Sequence, residues 1–188
     1  MDKLTLAKKI YQTSKITGEQ YPALNGRGLR SLRQFTLRSG QQVNEYFDKY
    51  LFEAQPKLLF EISSQLISFI PENIDAIAGL EMGGIPLATA LSLQTDIPLL
   101  FVRKEAKTYG TCKLAEGGTV EGKKLLIMED VVTSGGAIID AVNQLRKLGA
   151  TVERALCVID REGSGKKNLK SIGIKLDALF TKSYLESA

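Results

Sequence analysis

Leu125-Leu126-Ile127-Met128 sets four apolar side chains in a row, directly ahead of two carboxylates, Glu129 and Asp130. Successive side chains of a strand face opposite sides of the sheet, so this run needs apolar cover on both faces. Only a central strand with packed layers above and below meets that need. The flanking sequence agrees. Strand-like segments at 74–79, 99–102, 152–159 and 175–180 alternate with helical patterns at 85–94, 137–148 and 166–171. Such alternation predicts an α/β fold with a central, mainly parallel sheet flanked by helices.

In sheets of this kind ligands bind beyond the carboxyl ends of the strands. After the apolar run the chain reads Glu129-Asp130-Val131-Val132-Thr133-Ser134-Gly135-Gly136-Ala137. Ser134 and two glycines allow successive backbone N–H groups to turn inward, and the start of a helix adds positive potential. Together these make a phosphate cradle. No Gly-Lys-Ser/Thr follows, so it is not a Walker loop. Two acids beside an anion site call for a partner other than the phosphate: sugar hydroxyls, or a sugar that becomes cationic. An acidic strand end and a Ser/Thr helix cap are each common alone. The whole string favours a site.

The chain has no histidine, which excludes His-based triads, His general bases and His metal sites. With Lys+Arg 25 against Asp+Glu 21, the charge of +4 is mild. Its 188 residues, 44% hydrophobic, suit one domain over 1–188. Cys112 and Cys157 sit in unrelated settings, which suggests a reducing compartment. No leader-like or membrane-spanning run is found, so a cytoplasmic protein is expected.

Residues 3–16 read as a helix and 56–70 as another, the latter starting at Pro56 and stopping before Pro71. Between them, Gly18, Pro22, Asn25, Gly26 and Gly28 break any regular element, and Arg27, Arg30 and Arg33 follow. Residues 35–37 and 45–47 read as short strands around a Ser39-Gly40 turn. After the 99–102 strand, Arg103, Lys104 and Lys107 place three cations in five residues. A charge run is usually a solvated loop. Beside a phosphate cradle, it suits an anionic leaving group.

The 125–137 string resembles the PRPP (5-phosphoribosyl-1-diphosphate) signature of type I phosphoribosyltransferases: four apolar residues, two acids, then Val-x-Thr-x-Gly. The resemblance implies that fold, with a small N-terminal hood over about 1–50 carrying an atypical basic insertion at 19–34. It implies that PRPP is held along Glu129, Asp130, Val131 and Val132, with the acids on the ribose hydroxyls. Thr133, Ser134, Gly135, Gly136 and Ala137 would hold the 5′-phosphate.

Phe101 to Gly110 resembles the catalytic loop of orotate phosphoribosyltransferases, with Thr108 where aspartate is usual. This implies pyrophosphate contacts from Arg103, Lys104, Lys107 and Tyr109, with Lys107 and Asp130 catalytic. Residues 35–40 with Tyr46-Phe47 resemble the family's orotate-side motif, Arg38 standing for lysine, and Ile159-Asp160-Arg161-Glu162 matches a further one. These imply orotate contacts from Arg38, Tyr46, Phe47, Thr133 and Arg161. The rings of Phe35, Tyr46 and Phe47 suit core packing equally well. Residues 79–86 resemble the pyrophosphate loop, with Gly83 where some members carry lysine.

The implied reaction converts orotate and PRPP to orotidine 5′-monophosphate and pyrophosphate, a step of pyrimidine biosynthesis. Mg²⁺ is expected to arrive on PRPP, with no protein metal site. A homodimer that shares the catalytic loop is expected, and neither membrane nor nucleic acid is. Two rivals remain: transfer to another base, and a PRPP-sensing regulator that binds nucleic acid through Arg27, Arg30, Arg33 and Arg38. A sensor has no need of a leaving-group loop.

Overall fold

A computed structural model describes residues 1–17, 23–24, 30–31, 34–36, 42–105 and 113–188, of which 23–24 and 30–31 are described as backbone. Helix α1 (Lys3–Ser14) is capped by Asp2, whose carboxylate accepts the Thr5 N–H at 2.9 Å. Six short strands follow: β1 (Lys15–Thr17), β2 (Ala23–Leu24), β3 (Arg30–Ser31), β4 (Phe35–Thr36), β5 (Gln42–Val43) and β6 (Glu45–Phe47). Next come α2 (Lys49–Glu53) and α3 (Pro56–Leu66). The remainder alternates: β7 (Ala76–Leu80), α4 (Gly84–Thr95), β8 (Leu99–Val102), β9 (Ala115–Glu116), β10 (Lys124–Val132), α5 (Gly136–Lys147), β11 (Thr151–Asp160), α6 (Gly165–Ser171), β12 (Lys175–Thr181) and α7 (Lys182–Ser187).

The main sheet has the order β12-β11-β10-β7-β8-β9, parallel throughout except for the edge strand β9. β10 lies inside it and is covered on both sides, as its apolar run requires. Leu125 and Ile127 enter a core with Ile138, Val142 and Leu145 of α5. Leu126 and Met128 enter the opposite core with Ile10 of α1, Phe52 of α2, Ile62 of α3 and Leu87 of α4. Each such fully buried side chain contributes roughly 1.5–3 kcal/mol.

This order places the site. β7 is followed in sequence by β8 on one side, while β10 pairs on the other. The helices that follow β7 and β10 lie on opposite faces, α4 in one core and α5 in the other. The two outgoing loops therefore diverge and leave a crevice at the carboxyl ends, the switch point where such sheets bind ligands.

Three expectations are corrected. The second helix does not run to residue 70: α3 ends at Leu66, a 3₁₀ turn covers Ile67–Phe69, and Ile70 is extended (ψ 123°). A residue preceding proline is disfavoured in the α region. The 18–34 stretch is not free of regular structure, because β2 and β3 form an antiparallel ladder. Finally, Glu45–Phe47 pairs with β1, while β4 pairs with β5. Lys15–Thr17 offers a three-residue ladder to that strand.

Cys157 is free and buried; Cys112 lies outside the described residues. Among the described residues no helix is long and apolar enough to cross a membrane.

Candidate active site

β10 does not stop at the acids. It pairs with β11 as far as Val132 opposite Asp160, which keeps Glu129 and Asp130 inside the ladder. Asp130 was expected at a strand end outside the core, and it is instead fully buried. Its Oδ2 forms an ion pair with Lys49 Nζ, and its Oδ1 accepts the Val131 N–H. The turn after β7 presses on the same carboxylate: a Cβ built at Gly83 would sit 1.5 Å from Asp130 Oδ2. That distance admits no side chain.

Two further carboxyl groups crowd the spot. Glu129 is half-buried, and its Oε2 has no hydrogen-bond partner. Burial, then the charge of Asp130, pushes it well above the usual carboxylate range. Glu53 of α2 is only 6% exposed with both carboxyl oxygens unpartnered. Burial, again followed by the charge of Asp130, pushes it up to about 8. Both are thereby pushed toward the protonated form, while Asp130 faces an ammonium.

The segment read as a phosphate cradle leads into a helix start. Gly135 takes the left-handed conformation (φ 77°), and α5 begins at Gly136 with no side-chain cap and no acid in its first turn. Its first N–H groups are thus open to an anion. Thr133, Ser134, Gly136 and Ala137 are exposed. The loop is braced from behind: Gly165 N–H donates to Thr133 O at 3.0 Å, and Asn168 Nδ2 donates to Ser134 O at 3.0 Å.

Beside this loop opens a cleft of about 470 Å³. Tyr46, Phe47, Val131, Thr133 and Arg161 line it, so four of the five residues expected to meet the base come together. The fifth, Arg38, lies outside the described residues. The Tyr46 and Phe47 rings pack against other rings and also line the cleft. Tyr46 stacks on Phe35 with centroids 5.7 Å apart and remains 41% exposed, while Phe47 tilts against Tyr11 at 6.5 Å. Arg161 is exposed directly after β11, anchored through its N–H to Val132 O at 2.8 Å.

The cationic segment starts next to the crevice. Lys104 N–H donates to Glu81 Oε1 at 2.7 Å, which ties it to the turn carrying Gly83. Arg103 is half-buried and Lys104 exposed. Lys107 and Tyr109 lie outside the described residues.

Sequence reasoning missed Lys49, Glu53 and the α7 side chains Lys182, Leu185 and Glu186, which close the far wall of the cleft. The only available signal was that Lys49 directly follows the Tyr46-Phe47-Asp48 motif.

The phosphoribosyl transferase domain family matches residues 45–180. An orotate phosphoribosyltransferase of a Nocardioides species is 50% identical over 155 residues, 82% of this chain and 87% of that one. The orotate phosphoribosyltransferase of Halobacterium salinarum is 38% identical over 172 residues, 92% of this chain and 98% of its own. In fold, the chain is similar to the crystal structure of Mycobacterium tuberculosis orotate phosphoribosyltransferase with inorganic phosphate, at a TM-score of 0.80, 22% identity and 98% coverage of each chain. With this fold, an acid pair at the switch point and relatives matched over most of their length, the chain belongs to the orotate phosphoribosyltransferase family.

Proposed function

We propose that this chain transfers the phosphoribosyl group of PRPP to orotate, releasing pyrophosphate and forming orotidine 5′-monophosphate. One observation carries the reading: Val131 and Thr133, within the PRPP-type string, also line the cleft that holds Tyr46 and Arg161. A sugar bound along the string would hold its C1′ facing a flat base in that cleft. Departure of pyrophosphate breaks the C1′–O bond and leaves positive charge on the sugar; a base nitrogen then closes on C1′ from the opposite side. The protein supplies no nucleophile. Its work is positioning and charge stabilisation.

In this scheme Asp130 and Glu129 accept from the ribose hydroxyls, and residues 133–137 hold the 5′-phosphate. Arg103, Lys104, Lys107 and Tyr109 meet the pyrophosphate. Arg38, Tyr46, Phe47, Thr133 and Arg161 meet orotate. Mg²⁺ would be carried by the oxygens of PRPP, where it offsets the charge of the pyrophosphate. We read residues 1–188 as one functional unit, because Leu6, Ala7 and Ile10 of α1 share a core with the main sheet. The free, buried Cys157 fits a reducing, cytoplasmic setting.

Steady-state turnover with orotate, PRPP and Mg²⁺ tests the reaction, and a panel of other bases tests its choice. Arg161→Ala should raise the KM for orotate roughly ten- to hundredfold, the scale of one lost charge-assisted hydrogen bond, with the KM for PRPP little changed. Uracil, which lacks the carboxylate, should be a poor substrate. Equal rates with uracil and orotate would exclude carboxylate recognition.

We also propose a homodimer in which each catalytic loop serves the partner's site. The three glycines of residues 108–118 suggest a loop free of its own sheet. Ala115–Glu116 pairs with β8, however, and Leu114 and Ala115 are buried, so the part proposed to reach the partner is the one before Leu114. Lys107→Ala and Asp130→Ala, each nearly inactive, would be denatured and refolded together in equal amounts. Random pairing makes about half the dimers mixed, each with one intact site, so activity should recover to about a quarter of the parent value. A mixture that stays inactive would place each loop on its own subunit.

A further inference from the structure

Three carboxyl groups and one ammonium meet at the carboxyl end of β10. Asp130 is fully buried, and Glu53 beside it is nearly so. Glu129 adds a third carboxyl from the same strand as Asp130. α2 also brings Asp48 at its cap, the Tyr50 phenol and Lys49. From the other side the turn after β7 offers only the backbone of Gly83, since Glu81 is engaged with the Lys104 N–H. At the end of β11, Asp160 is taken up by Lys166 at 3.1 Å. Among the described residues, Lys49 is the cation paired to Asp130.

We infer that Lys49 is a positioning residue that keeps Asp130 ionised and seated against Gly83 so that it can answer the positive charge on the sugar. The inference rests on the phosphoribosyl transfer proposed above and assigns a residue that transfer does not by itself require. Its physics is simple. A carboxylate out of water and beside two other carboxyl groups is driven to take up a proton, and a neighbouring ammonium opposes this. Without Lys49, a protonated Asp130 would offer the sugar a dipole in place of a charge. The raised protonation of Glu53 and Glu129 follows from the same crowding. Lys49 can leave when substrate enters, because 30% of its side chain reaches solvent at the cleft.

The test is a pH profile of kcat/KM for PRPP at saturating orotate, between pH 5 and 9, for the parent, Lys49→Met and Lys49→Arg. Lys49→Met should move the acid limb up by about one unit or more, so that activity at a pH on the parent's acid limb falls about tenfold while activity on the plateau above it changes little. Lys49→Arg should return the limb to its parent position, whatever its height. A loss equal at every pH, or a rise confined to the KM for orotate, would make Lys49 a direct substrate contact and overturn the inference.

A second measurement needs no turnover. In a ¹³C-carboxyl NMR titration, with the Asp130 signal assigned through Asp130→Asn, the midpoint should rise in Lys49→Met by a similar amount. If Lys49→Met does not fold, Lys49→Gln serves the same comparison. An unmoved midpoint overturns the role of Lys49. A shifted midpoint in a protein inactive on orotate upholds it and counts against the proposed reaction.

Discussion

Asp130→Asn should lower kcat by roughly 10²–10³-fold, the scale expected when a buried charge that meets the transition state is removed. The substitution keeps shape and volume, so the backbone ladder from Glu129 to Val132 should persist. Lys49 would lose its partner, but its side chain is 30% exposed and can turn to water. The stability loss should therefore stay well below the about 3–5 kcal/mol that follows from stranding a wholly buried charge. Turnover at saturating substrate and thermal unfolding measured on one preparation separate the two effects. A folded Asp130→Asn protein with near-parent kcat would show that the charge plays no part in the chemistry.

Gly83→Ala should be at least as damaging, although it adds a single methyl group. The backbone at Gly83 is in the ordinary right-handed region (φ −69°, ψ −28°), so conformational freedom is not the issue. Space is. The new Cβ would stand 1.5 Å from Asp130 Oδ2 and 2.5 Å from its Cγ. Asp130 has little freedom to yield, with one oxygen on the Val131 N–H and the other on Lys49. Either the carboxylate turns away from the sugar subsite, or the turn after β7 lifts off the strand end and carries the Lys104 anchor with it. We expect a loss of about 100-fold or more in kcat/KM, with overpacking strain of about 1–3 kcal/mol. Parent-like turnover together with an unchanged Tm would show that the contact is not needed.

What could be read from the residues was what depends on local period and local chemistry. Leu125 to Met128 announced a doubly covered strand because the two-residue period of a strand turns a run of four into two apolar faces. Thr133 to Ala137 announced an anion loop because glycines before a helix leave N–H groups unpaired. α2 and α7, of five and six residues, were not visible, because a helix that short completes too few turns to display a periodicity. The pairing of β6 with β1 was hidden for a related reason: alternation shows that a strand exists and says nothing of its neighbour.

The ionisation of the site was decided by the tertiary structure alone. Asp130 looked like an accessible acid at a strand end; the continuation of β10 alongside β11 buried it. Lys49 and Glu53 are distant in sequence, on a helix whose Phe52 packs into the core shared with Met128, and that packing carries both groups to Asp130. Gly83 arrives from the turn after β7 because the strand order sets β7 beside β10. The sequence by itself determined the sheet, the loop and the two acids. Which proton each acid holds depends on which charges share its dry volume, and only the crossing of α2 over the strand ends decides that.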